Sequence, residues 1–110
     1  MLDAMAIRLA SGESYVTFKS AGSSMTPLIR SGQEVTVHRV SDPDGLEAGD
    51  IVLARVHGVT YLHKITAINR GHRRVQIGNN HGRINGWTSY DRVYGIYRPD
   101  EDAMVGVRPW

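Results

Sequence analysis

Ile51-Val52-Leu53-Ala54-Arg55-Val56-His57-Gly58-Val59-Thr60-Tyr61-Leu62-His63-Lys64-Ile65 is the stretch on which the fold turns. Its first six residues are nearly all apolar, the pattern of a strand buried on both faces and therefore central in its sheet. His57-Gly58 is a two-residue hairpin turn, and the arm after it runs to Ile68. Side chains alternate along a strand, so Tyr61, His63, Ile65 and Ala67 share one face and Leu62, Lys64, Thr66 and Ile68 the other. Without a bulge, His63 and Lys64 cannot both point at the same group.

The same period recurs on either side of this hairpin. Glu34-Val35-Thr36-Val37-His38 alternates, with Val35 and Val37 facing a core. Tyr15-Val16-Thr17-Phe18-Lys19 is rich in β-branched and aromatic residues and reads as a strand. His72 to Ile77 and Arg92 to Tyr97 supply two more. Ser41-Asp42-Pro43-Asp44-Gly45 and Asn69-Arg70-Gly71 are turns. Residues 78–87, with three glycines, read as a long polar loop, and residues 4–10 as one or two helical turns. Five or six short strands with little helical periodicity predict a small all-β domain, coiled or closed into a partly open barrel.

At 110 residues the chain supports one core, hence a single domain over 1–110, with the ends at 1–12 and 99–110 expected to be loosely held. A net charge of +2 is too small an excess to argue for a nucleic-acid partner, although the arginines at 70, 73, 74 and 83 could form a basic patch. Cysteine is absent, which excludes a thiol nucleophile and thiolate metal sites. His72 and His81 lack partners at a metal spacing, so neither metal nor cofactor is expected. No apolar run approaches the roughly 18 residues that cross a bilayer, so a membrane anchor is not expected either; without cysteine nothing requires an oxidising compartment, and a cytoplasmic location is expected.

Gly22-Ser23-Ser24-Met25-Thr26-Pro27 carries the chemistry. The glycine permits a left-handed turn, and the proline stiffens the chain just beyond the serine. A serine on such a turn displays its hydroxyl and its own N–H together, as acyl transfer requires of a nucleophile and an oxyanion donor.

Taken with Ser31-Gly32-Gln33-Glu34-Val35, Gly49-Asp50 and its apolar strand, and Tyr61-Leu62-His63-Lys64-Ile65, the Ser24-Met25-Thr26-Pro27-Leu28 run resembles the serine peptidases of the type I signal peptidase and LexA-type superfamily, over residues 20–98. In that family the nucleophile is the serine directly before methionine. The base is a lysine in the next strand, or a histidine in the endoplasmic-reticulum and archaeal signal peptidases. The resemblance implies a catalytic-type domain with Ser24 as nucleophile, His63 as base and Lys64 as the basic residue beside it. The Ser24 N–H and the Ser23 hydroxyl would form the oxyanion hole, and Met25 and Tyr61 would meet substrate. A peptide or protein substrate would bind as an extended strand. Relatives place an aspartate near a Gly-Asp-Asn box; here the segment reads Gly78-Asn79-Asn80, so the candidates for a third member are Asn79 and Asp91, beside a bare Ser-His dyad. The alternative to a peptidase is a fold of this type that binds a peptide without cutting it.

Overall fold

The computed structural model describes residues 1–99. One helix, α1 (Leu2–Ala10), precedes seven strands: β1 (Tyr15–Lys19), β2 (Glu34–Arg39), β3 (Ile51–Val56), β4 (Val59–Asn69), β5 (Arg74–Gly78), β6 (Ile84–Ser89) and β7 (Val93–Tyr97). They form a single antiparallel sheet in the order β1-β2-β7-β3-β4-β5-β6, left open at β1 and β6. The fold is thus mainly β, as the alternating strands predict.

β3 is apolar without interruption because it serves two cores. Ile51 and Leu53 enter one cluster with Leu9, Val16, Val37 and Leu62. Val52, Ala54 and Val56 enter another with Ile65, Val75, Ile77 and Ile96. Register carries this parity across the hairpin, with Val52 opposite His63, Leu53 opposite Leu62 and Ala54 opposite Tyr61. His57 and Gly58 have φ of 50° and 80°, the two left-handed residues that a tight hairpin turn needs. The sheet curls so far that Thr88 Oγ1 of β6 donates to Arg55 O of β3 at 2.7 Å, which gives the β3–β6 half a barrel-like form without a closing ladder.

Two expectations are corrected. The first twelve residues are not a loose end, because α1 buries Ala6 and Leu9 completely enough to join the core beneath it. A nine-residue helix is marginal alone, and that packing is what orders it. The loop expected over 78–87 contains an edge strand, β6, whose alternation Gly86 and a register shift opposite Ile77 and Gly78 conceal. The part of the 99–110 tail from residue 100 onward lies outside the described residues.

Contact between α1 and the sheet depends on Gly95 of β7. A Cβ there would stand 2.7 Å from Leu9 Cδ1 and 3.1 Å from His38 O. Gly95→Ala is therefore expected to lower stability by about 1–3 kcal/mol through overpacking, read as a lower urea midpoint with the slope unchanged.

Candidate active site

Ser24 lies on the segment between β1 and β2, and that segment is tied at its neck. Ser20 N–H donates to Gln33 O and Gly32 N–H to Ser20 O, both at 2.8 Å, while Ser20 Oγ donates to Arg30 O at 2.6 Å. Met25 and Ile29, at 4% and 2% exposure, peg it into the core. Gly22 has φ of 79°, as the turn before a displayed serine requires. Met25 is therefore a core residue; its place beside Ser24 suited a substrate contact, but the peg turns its side chain inward.

His63 meets Ser24 from β4. Its Nε2 lies 3.0 Å from Ser24 Oγ, and its Nδ1 lies 2.7 Å from Asn85 Oδ1. An amide oxygen only accepts, so Nδ1 carries the proton and Nε2 turns its lone pair toward the serine hydroxyl. Tyr61, two residues earlier on the same face, stacks on the imidazole with ring centroids 4.9 Å apart and 24° between planes. His63 is 9% exposed. Burial, which disfavours the imidazolium, lowers its pKa from 6.5, and the hydrogen bond to Asn85, the smaller cause, pulls the other way. The ring thus stays neutral, and able to accept a proton, to lower pH than an ordinary imidazole.

The side chain that meets His63 Nδ1 is Asn85, not Asn79 or Asp91. β5 ends at Gly78, which pairs with Lys64, so the chain leaves the sheet before reaching the level of His63. Asn79 turns into the following loop, where its Oδ1 accepts from the N–H groups of His81 at 2.8 Å and Arg83 at 3.0 Å. Asp91 is occupied by the Ser89 hydroxyl, beyond the far end of β6. Asn85 reaches His63 through a bulge: Gly86 pairs with Ile77 and Ile84 with Gly78, which leaves Asn85 as the extra residue, re-aimed toward the barrel-like interior.

Loop 79–83 also clasps the turn that carries Ser24. Asn80 N–H donates to Ser24 O at 2.9 Å, and Asn80 Nδ2 donates to Thr26 O at 2.9 Å. His81 Nε2 lies 3.0 Å from Ser23 O and 3.1 Å from Thr26 Oγ1. Lys64, on the opposite face of β4 from His63, donates from Nζ to Asn80 Oδ1 at 3.1 Å. Strand parity thus separates the two basic neighbours as the alternation requires. Gly49 and Asp50 serve the sheet rather than the chemistry. Gly49 N–H donates to Ile65 O and Asp50 O accepts from Ile65 N–H, both at 2.8 Å, extending the β3–β4 ladder.

Among the described residues no backbone or side-chain acceptor takes the Ser24 N–H, and the Ser23 hydroxyl makes no hydrogen bond. Nor do His, Asp and Glu there gather into a group of three that could hold a metal ion. No described helix is long and apolar enough to cross a membrane. A protein-family model described as peptidase S24-like matches residues 3–86. The matched stretch runs from α1 into β6 and contains Ser24, His63, Asn80 and Asn85. No curated protein matches the chain at a significant level.

Proposed function

The chain belongs to the peptidase S24-like family, and from that premise we propose that it is a serine endopeptidase in which Ser24 attacks, His63 moves the proton and Asn85 orients the imidazole. The observation that carries this reading is the continuous relay from Asn85 Oδ1 through both ring nitrogens of His63 to Ser24 Oγ. His63 Nε2 takes the proton of Ser24 Oγ as that oxygen bonds to the peptide carbonyl carbon. The tetrahedral oxyanion is held by the Ser24 N–H, with the Ser23 hydroxyl as a second donor. The C–N bond then breaks as His63 returns the proton to the leaving amine. Water, deprotonated by the same nitrogen, hydrolyses the acyl-enzyme and regenerates Ser24. Tyr61, half-buried against His63, limits water at the ring and borders the place where substrate enters. The substrate in this reading is a peptide or protein segment in extended form.

Asn85 also favours a second reading, a domain that binds a peptide without cutting it. A neutral amide orients the imidazole but offers no charge to the imidazolium that forms during attack. Incubation of the full chain with a library of extended peptides, read by mass spectrometry, separates the two. Defined new termini that are absent with Ser24→Ala support the peptidase; retention of particular peptides with no new termini supports the binder.

Asn85 itself gives a graded prediction. Asn85→Asp places a carboxylate against Nδ1–H, so the His63 pKa rises and the acid limb of the rate profile moves to higher pH. Asn85→Ala removes the hydrogen bond that pulls this pKa upward, so the limb moves lower while the plateau rate falls about 10–100-fold from loss of orientation. Identical midpoints in the parent and both variants would remove Asn85 from the relay.

A further inference from the structure

Lys64 takes no part in the proton transfers above, yet its ammonium acts on the nucleophile turn at one remove. Its Nζ donates to Asn80 Oδ1 at 3.1 Å, and Nδ2 of the same amide donates to Thr26 O at 2.9 Å. With the Asn80 N–H on Ser24 O at 2.9 Å, one residue grips carbonyls on both sides of Met25. The grip works only with the amide one way round. Turned by 180°, it would aim NH2 at the ammonium, which has no acceptor, and its oxygen at the Thr26 carbonyl, which has no proton. A cation beside Oδ1 forbids that orientation, and among the described residues Lys64 has no carboxylate to draw it elsewhere. The half-buried Lys64 is itself placed by the sheet, opposite Ile51 on β3 and Gly78 on β5.

We infer that Lys64 is a positioning residue: it locks the Asn80 amide, and the locked amide holds the Ser24 turn at the reach of His63. The inference rests on the reading of Ser24 as nucleophile. Its physical basis is a hydrogen bond to a charged donor, stronger than a neutral one, whose loss leaves a half-buried amide oxygen without a partner. In this chain the two adjacent basic residues of β4 thus divide the work, His63 moving the proton and Lys64 holding the nucleophile.

The test uses the full chain and the rate at which a fluorophosphonate acylates it. Lys64→Met should react about ten-fold more slowly, as loss of one such hydrogen bond implies. Lys64→Arg, which keeps a charged donor, should recover most of the rate. Asn80→Ala should lose about 100-fold through misplacement of the turn. The double variant should be no slower than Asn80→Ala, because both act through one contact. The acid-limb midpoint should stay where His63 and Asn85 set it. Asn80→Asp keeps an acceptor for Lys64 but loses the donor to Thr26 O, so it should react as slowly as Asn80→Ala. A readout independent of activity is amide exchange at Asn80, whose N–H bonds Ser24 O; Lys64→Met should speed it. Additive losses in the double variant would overturn the inference, as would parental exchange in Lys64→Met. Ser24→Ala that still acylates like the parent would overturn the nucleophile assignment instead, and the exchange measurement alone would then decide Lys64.

Discussion

Ser24→Ala is expected to abolish acylation and to lower any peptide cleavage by about 10⁴–10⁶-fold, the range found when the nucleophile of a triad is removed. The fold should survive the change. Ser24 Oγ contributes one hydrogen bond at the half-exposed surface of its turn, while the turn is held by other groups: the buried Met25 and Ile29, the Ser20 ties at the neck and the Asn80 grip. The Ser24 N–H and carbonyl are unchanged by the substitution, so the Asn80 contact persists. Parental Tm with lost turnover is thus the expected pair of results. Loss of both would mean that the hydroxyl matters to the fold and would leave its chemistry undemonstrated; retained cleavage would place the chemistry elsewhere.

His63→Gln should be nearly as severe, at about 10⁴-fold or more, since glutamine fills much of the imidazole's space but has no titratable nitrogen. The pH profile of the parent carries more information. Only the neutral ring accepts the Ser24 proton, and burial lowers the His63 pKa from 6.5. A lowered pKa keeps the base form populated further into acid, so kcat/KM should hold steady through neutrality and decline only below the ordinary imidazole value. A catalytic lysine would behave in the opposite sense, with a rate still climbing well above neutral as its ammonium deprotonates. Lys64→Ala, for its part, should lower the rate moderately without moving the midpoint. A midpoint shifted by Lys64→Ala would implicate that ammonium in the titration itself.

Much of the structure was legible because period-two alternation and glycine or proline punctuation carry it. The Ile51–Ile65 hairpin has one strand too apolar for a surface and one whose parity separates His63 from Lys64, and its register agrees with both. Gly22 and Pro27 mark a displayed serine from local geometry alone. Asn85 was not legible. It stands in a window with Gly82 and Gly86, its strand pairs only at the edge of the sheet, and its side chain is aimed by a bulge, which breaks the parity that strand reading relies on. Asn79 is the residue that matches the acid of the Gly-Asp-Asn box, but β5 ends one residue short of His63. Met25 and α1 illustrate a second limit. Beside Ser24, Met25 has the position of a cleft residue, and residues 1–12 have the composition of a frayed end, yet tertiary packing buries Met25, Ala6 and Leu9. Such burial is set by partners remote in sequence. The Lys64-Asn80-Thr26 chain is of the same kind, since it joins three segments that no local pattern connects.

In the proposed mechanism Ser24 is an activated nucleophile served by a neutral His63. Peptide mapping of the fluorophosphonate adduct, with its rate of formation followed across pH, tests it most directly. One adduct is expected, on Ser24, forming at a rate that falls on acidification through a midpoint below 6.5 and is lost in His63→Gln. No adduct, an adduct on another serine, or a Ser24 adduct whose pH profile is the same with and without His63 would contradict it.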